Sequence, residues 1–310
     1  MLVLVNPAAK GGTGLKRWHK LLPDVLRLVG PFRVAEAADA SDVRAAVARD
    51  LERGETRYVA VGGDGMVNLV MSALLAHADL ATLGRVTLGA IGLGSSNDFH
   101  KPRTPGNRFG AAPYRLDFER AQPSDVGRLR YEDQRGNQRE RFWIVNASVG
   151  TTAEGNYLFN HPDRFMRRLK RHSSAAAMTW AAVRGVLGYV PPDVTLTLDG
   201  EAPVRCRLRN LGVVKNPHFT GSLCYDSPHE PDSGRFFVHL LEDVSLPSLA
   251  LTLLALARGR FGGRPGARSW CAAQAVITAP SRFAVEADGE VFSTTRAEFS
   301  LIPRALRLCA

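Results

Sequence analysis

Three glycine-rich turns and one acidic turn hold the residues best suited to chemistry. The first runs Asn6-Pro7-Ala8-Ala9-Lys10-Gly11-Gly12-Thr13-Gly14. The second is Gly62-Gly63-Asp64-Gly65-Met66, and the third is Gly92-Leu93-Gly94-Ser95-Ser96-Asn97-Asp98-Phe99. Glycine lets a backbone approach an anion closely and aim its N–H groups at the oxygens, so such turns suit phosphate. A helix beginning after the turn adds the positive end of its dipole. A lone glycine turn is mostly just a tight turn, with roughly a one-in-five chance of binding phosphate. Three on one edge are harder to dismiss. Near the far end, Glu286-Ala287-Asp288-Gly289-Glu290 sets carboxylates around a glycine. A carboxylate beside an attacking hydroxyl acts as a general base worth about 10²–10⁴-fold. Asp-Gly is equally the chemistry of an ordinary hairpin turn, and on the residues alone that reading is the stronger.

These residues need elements to position them. The first hundred residues alternate strand and helix. Residues 2–5, 32–35, 58–61 and 86–91 are β-prone. Leu15, Trp18, Leu22, Val25 and Val29 recur at helical spacing, with Pro23 set to bend or restart that helix. Ser41 reads as the N-cap of a helix carrying Val43, Ala46, Val47 and Leu51, and residues 67–76 read as another helix. Each glycine turn therefore follows a strand. Alternation of this kind implies a parallel sheet covered on both faces, with ligands at the carboxyl ends of its strands. From about Pro113 short β-prone runs take over, at 115–118, 125–131, 141–149, 194–198, 204–214, 235–241, 274–278, 282–286 and 297–301. Their spacing is that of an antiparallel sandwich. A helical insertion at 162–189, basic in its first half (Arg164, Arg167, Arg168, Lys170, Arg171), and a helix at 247–258 interrupt it. A solvated face is the simplest reading of that basic cluster.

Composition sets the outer bounds. A chain of 310 residues, 45% hydrophobic and 23% charged, accommodates two globular domains. No stretch reaches the ~20 apolar residues of a membrane span. The apolar run 1–5 lacks the basic region and cleavage site of a signal peptide, so a cytoplasmic location is expected. Cys206, Cys224, Cys271 and Cys309 have neither disulfide-framework nor zinc spacing. The net charge of +10 suits a polyanionic partner. Basic and aromatic residues do not interleave as in RNA-binding sheets, so nucleic acid is not expected. GxxxxGK[ST] is absent, which excludes a P-loop as written, and a dinucleotide-type GxGxxG is missing after the first strand.

The succession Asn6-Pro7, Gly62-Gly63-Asp64-Gly65 and Gly94-Ser95-Ser96-Asn97-Asp98-Phe99 resembles the catalytic domain of the diacylglycerol kinase superfamily, which includes sphingosine and ceramide kinases. Asn146-Ala147-Ser148-Val149-Gly150, Lys215-Asn216-Pro217 with Asp232-Ser233-Gly234, and the terminal Asp288-Gly289-Glu290 continue the likeness in the same order. It thus covers nearly the whole chain.

The resemblance implies an α/β nucleotide-binding domain at 1–120, joined by the tail 302–310, and a β-sandwich lipid-substrate domain at 121–301, with the active site in a cleft between them. It implies an ATP- and Mg²⁺-dependent kinase acting on a lipid hydroxyl at a membrane surface, cytoplasmic and peripherally attached, with a homodimer as a possible assembly. In this family reading Asn6, Pro7, Lys10, Gly11 and Gly12 lie over the nucleotide. Gly62, Gly63, Asp64, Gly65 and Met66 bind its phosphates, and Gly94, Ser95 and Asn97 complete the edge. Asp64 helps hold Mg²⁺, and Asp232 marks a structural Mg²⁺ site of some bacterial relatives. Asp288 is the general base, Glu290 orients or shares that work, and Glu154 meets the lipid head group. Three positions depart from the pattern. Met66 stands for a threonine, His100 for a small residue, and the glycine of the first turn is displaced to Gly11 and Gly12. These departures motivate two alternatives: a weak or non-catalytic nucleotide- or lipid-binding homologue, and a kinase for a soluble polyol.

Overall fold

The computed structural model describes residues 1–310, the side chains of Ser174, Ala175 and Met178 excepted. The chain divides into two units, Met1–Val126 with Pro303–Ala310, and Gly127–Ile302.

The first unit runs β1 (Leu2–Val5), a short turn α1 (Ala9–Gly12), α2 (Gly14–Val29), β2 (Arg33–Glu36), α3 (Ala40–Glu52), β3 (Arg57–Gly62), α4 (Asp64–His77), α5 (Leu80–Leu83) and β4 (Thr87–Gly92). The two-residue β5 (Arg108–Phe109), β6 (Ala112–Arg115) and the start of β7 (Gln122–Glu132) follow. Strands β4, β3, β1 and β2 lie side by side and parallel. β1 and β4 are buried at every residue, as strands covered on both faces must be. Val3, Val5, Val59, Val61 and Ile91 form one core layer with Trp18 and Val25 of α2. The alternate residues Leu2, Leu4, Ala60, Leu88 and Ala90 are equally buried, and α4 meets the sheet at β3 and β4.

Two local expectations need correction. Helix α2 continues through Pro23 as one element, so of the bend or restart expected there the restart is the part set aside. The cap of α3 is Asp39, not Ser41, because Asp39 is the last extended residue. Its carboxylate accepts the N–H groups of Ser41 (2.7 Å) and Asp42 (3.0 Å), and a negative charge there also suits the helix dipole.

The second unit contains the rest of β7, then β8 (Gln138–Trp143), β9 (Asn146–Gly150), α6 (Thr151–Asn160), α7 (Arg164–His172), α8 (Ser174–Gly188), β10 (Asp193–Leu198) and β11 (Val204–Val214). The short β12 (His218–Phe219) and β13 (Leu223–Cys224) precede β14 (Phe236–Glu242), α9 (Leu246–Leu256), β15 (Ala267–Ala272), β16 (Ala275–Ala287) and β17 (Glu290–Leu308). Antiparallel pairing orders them β15-β14-β11-β10-β16-β17, with β9 bonded to both β11 and β16. Trp143, Leu211, Phe236, Val238, Ile277 and Phe299 anchor the core. The end of β17 returns to the first unit, where Arg307 and Leu308 lie parallel beside Thr87 and Leu88 of β4.

The predicted runs 274–278 and 282–286 are one strand. Its register shifts between Thr278 and Phe283, around Pro280, which has no N–H to give a ladder. The helical insertion begins at Thr151, directly off β9, eleven residues earlier than the apolar pattern indicates. There α6 and α8 meet through glycines, since a Cβ on Gly185 would lie 3.1 Å from the Gly155 nitrogen. No helix among the described residues is long and apolar enough to cross a membrane.

Candidate active site

In the first unit the three glycine turns are tied together at the carboxyl ends of β1, β3 and β4. The Asn6 N–H donates to the Val61 carbonyl (2.9 Å), and the Leu93 N–H donates to the Gly62 carbonyl (2.6 Å). The second and third turns touch backbone to backbone, for a Cβ on Gly94 would lie only 2.5 Å from the Gly63 Cα. Glycine at these two positions is therefore a packing requirement. Asn97 folds the third turn. It sits in the left-handed region (φ 52°), a cost of roughly 1–2 kcal/mol for most side chains. Two bonds offset that cost: its Oδ1 accepts from the Gly94 N–H (3.0 Å) and its Nδ2 donates to the Gly94 carbonyl (3.3 Å).

Asp64 opens helix α4, and Gly63 before it provides no side-chain cap. The Asp64 carboxylate instead accepts the N–H groups of Asp98 (3.0 Å) and Phe99 (2.9 Å), bracing the third turn against the second. Burial, with the Asp98 carboxylate nearby, pushes the Asp64 pKa up, against the pull of these amides. Asp98 itself pairs with Lys101 at 2.7 Å. Arg17 of α2 donates from Nη1 to the Leu93 carbonyl (2.9 Å), clamping the same loop from above.

The first turn is looser. Asn6 Oδ1 accepts the Ala8 N–H (2.9 Å), and Lys10, Gly11 and Gly12 all take positive φ and are exposed. Pro7 is half-buried, and Gly65 and Ser95 are exposed. Met66 is buried at 2% exposure, its side chain lying against Gly62, so it offers nothing to the surface of the turn.

In the second unit the terminal acidic turn is more than a hairpin tip. Asp288 takes φ 44°, and its carboxylate accepts three backbone N–H groups: Ile144 (2.7 Å), Val145 (3.0 Å) and Asn146 (3.1 Å). The Asp288 N–H returns a bond to the Asn146 carbonyl (3.0 Å). These are the residues where the predicted strand 141–149 breaks into β8 and β9, so the carboxylate replaces the missing ladder partners. Glu290 is exposed and faces Arg141 at 3.8 Å. Glu286 is the residue that the sequence does not single out. It is buried at 2% exposure, accepts from Ser148 Oγ (2.7 Å) and from the Gly289 N–H, and burial pushes its pKa up to about 7.

Glu154 lies half-buried in the first turn of α6, and desolvation raises its pKa. Its charge bears on Tyr189, whose buried hydroxyl has no hydrogen-bond partner. Asp232 is exposed in the turn before β14. Arg164, Arg167, Arg168 and Arg171 are exposed along α7, while Lys170 turns back onto the Phe159 ring. Among the described residues no three His, Cys, Asp or Glu side chains cluster as a metal cage.

The family model of the diacylglycerol kinase catalytic domain matches residues 1–129, and that of the YegS C-terminal NAD kinase beta sandwich-like domain matches residues 154–310. A crystal structure of a diacylglycerol kinase from Bacillus anthracis str. Sterne has a TM-score of 0.67 at 15% identity, covering 99% of this chain and 95% of that one. A second solved chain from the same organism gives 0.71 at 16% identity, over 99% and 96%. The sphingoid long-chain bases kinase 1 of Arabidopsis thaliana is 27% identical over 101 residues, which is 31% of this chain and 13% of that protein's length. With an α/β catalytic unit followed by a β-sandwich-like unit, the chain belongs to the diacylglycerol kinase-like family with the YegS-type C-terminal domain.

Proposed function

We propose that this kinase-family chain transfers the γ-phosphoryl group of ATP to a hydroxyl of an amphiphilic lipid, such as a diacylglycerol or a sphingoid base, with Mg²⁺. The observation that carries the reading is the glycine-capped start of α4 at the carboxyl edge of the parallel sheet, with Gly63 against Gly94 and Asp64 bracing both turns. A helix N-terminus there directs N–H groups and positive dipole toward phosphate. Asn6, Pro7, Lys10, Gly11 and Gly12 cover the nucleotide in this reading, and exposed Ser95 lies on its phosphate side.

A nucleotide-borne Mg²⁺ needs only one or two protein carboxylates and keeps its waters. Asp64 is the carboxylate of the turn that would reach it, and the ion would neutralise charge building on the phosphates. Asp288 takes the proton of the attacking hydroxyl from a position fixed by three amides. Exposed Glu290 shares that work, and Glu154 meets the polar head of the acceptor.

Peripheral membrane contact is supported by α9. Leu246, Leu251, Leu253 and Leu254 are exposed on it, Leu251 and Leu254 by 56%, and Arg258, Arg260 and Arg264 follow. Apolar residues beside arginines suit the interface of an anionic bilayer. A second reading, a homologue with weak or no turnover, rests on Met66, which is buried where the family pattern has a hydroxyl.

The test is transfer of labelled γ-phosphate from ATP to micelles of a diacylglycerol, a sphingoid base, a ceramide or phosphatidylglycerol, with and without Mg²⁺. The reading expects Mg²⁺-dependent transfer to one of these classes. ATP binding without transfer to any lipid contradicts it.

A further inference from the structure

The first unit has a second concave site that the glycine turns do not use. After Phe99 the chain leaves the edge of the sheet and returns as β6, which pairs antiparallel with β4 through Ala90–Arg115 and Ile91–Tyr114. The intervening loop and β6 enclose a cavity of about 250 Å³, lined in part by His100, Arg103, Asn107, Arg108, Tyr114 and Arg115. Three arginines thus line the hollow, and no Asp or Glu is among its lining residues. Among the described residues none of the three forms a salt bridge.

Arg108 and Arg115 bond only to backbone carbonyls among the described residues. Arg108 Nε donates to the Gly110 carbonyl (2.7 Å), and Arg115 Nη2 reaches the Lys101 carbonyl (3.4 Å). Each guanidinium has five donors, so most remain for a ligand. Arg115 also lies over the Phe99 ring at 5.3 Å, which holds its plane. His100 is 5% exposed, and its Nδ1 is buried without a partner. Burial and the neighbouring Arg115 and Arg103 hold its pKa down to about 3, so the ring is neutral and adds no charge of its own.

A hollow bordered by like charges, with no carboxylate in its lining, favours an anion. Arginines supplied by the loop and by β6 suit a phosphate, whose oxygens a guanidinium can take two at a time. The volume is below that of ordinary drug-sized pockets, which fits a head group rather than a whole nucleotide. We propose that Arg103, Arg108 and Arg115 form a phosphate-binding subsite distinct from the glycine turns, taking a phosphomonoester or phosphodiester head.

The test compares the wild-type chain with the double variant Arg103→Ala/Arg108→Ala. Both side chains are exposed, so an unchanged circular dichroism melt is expected. Calorimetric titration with inorganic phosphate is run with a non-hydrolysable ATP analogue occupying the glycine turns. Sedimentation with phosphatidylcholine vesicles, with and without phosphatidic acid, is run beside it. The proposal expects at least a tenfold loss in the variant, roughly one charge-assisted hydrogen bond, in one of the two assays. Loss of phosphate binding identifies a free ligand, and loss confined to phosphatidic acid vesicles identifies a lipid head group. Equal behaviour of both proteins in both assays overturns the proposal. A variant altered only in its affinity for the ATP analogue overturns it too, since the cavity is then part of the nucleotide's own site. Neither assay depends on phosphoryl transfer.

Discussion

The Asp-Gly turns at Asp64 and Asp288 use their carboxylates alike and serve different scales of the structure. Asp64 accepts two amides from a turn 34 and 35 residues further on, between neighbouring parallel strands. Asp288 accepts three from a crossover 142 to 144 residues earlier. The first brace is local and shapes one edge. The second is a long-range clasp that holds the β8–β9 break to the β16–β17 hairpin. Under the proposed function, damage to the first should therefore reach nucleotide binding before the fold, whereas damage to the second should reach both the fold and turnover.

The largest expected effect is that of Asp288→Asn. Loss of the proposed general base should lower turnover by about 10²–10⁴-fold. An amide nitrogen facing N–H donors should also destabilise the unit by about 1–3 kcal/mol, read as a fall in Tm. Glu290→Gln sharpens the contrast, because Glu290 is exposed: turnover should fall while the melt stays put. A Glu290 variant that melts early, or an Asp288 variant that melts normally, breaks the distinction.

On the other side of the comparison, Gly94→Ala drives a methyl toward the Gly63 Cα and must part the two turns. A displacement of about 1 Å costs on the order of 10²-fold in kcat/KM. Steady-state kinetics on a normally melting variant checks this.

Glu286→Gln isolates the clasp from its chemistry. With a pKa near 7 in the fold and 4.5 as its ordinary value, Glu286 stays protonated in the native chain while the unfolded chain ionises. Stability therefore falls as pH rises from about 4.5 to about 7, by about 3 kcal/mol, and is level above that. Denaturant titrations at pH 5 and pH 8 should show most of that loss in the wild type and a flatter profile in Glu286→Gln. The smallest effect is expected of Arg17→Ala, which removes one bond to the Leu93 carbonyl. The Michaelis constant for ATP should rise by roughly fivefold, the value of about 1 kcal/mol.

Much of this was legible in the residues. The glycine turns followed β-prone runs and helices separated those runs, so the parallel sheet, with the turns at the carboxyl ends of its strands, could be read from local pattern. The acid turn could be found, but not what it binds. Glu286 looks like any turn glutamate, and its burial follows only from the register that puts it opposite Ser148 of β9, 138 residues away. Arg17 is one of several basic residues on α2, and nothing in its spacing points to the Leu93 carbonyl 76 residues on. The cap of α3 was misplaced for a local reason, because Asp39 and Ser41 are both good capping residues and only backbone geometry separates them. Arg103, Arg108 and Arg115 look scattered until β6 folds back on β4.

The most direct test of the central claim, that the first unit holds the nucleotide, is calorimetric titration of MgATP into the wild type, Asp64→Asn and Asp288→Asn. Asp64→Asn should bind at least about tenfold more weakly, because an amide nitrogen cannot accept both the Asp98 and Phe99 amides. Asp288→Asn should bind as the wild type does at temperatures where it is folded. Unaltered binding by Asp64→Asn, with binding lost in folded Asp288→Asn, would contradict the account.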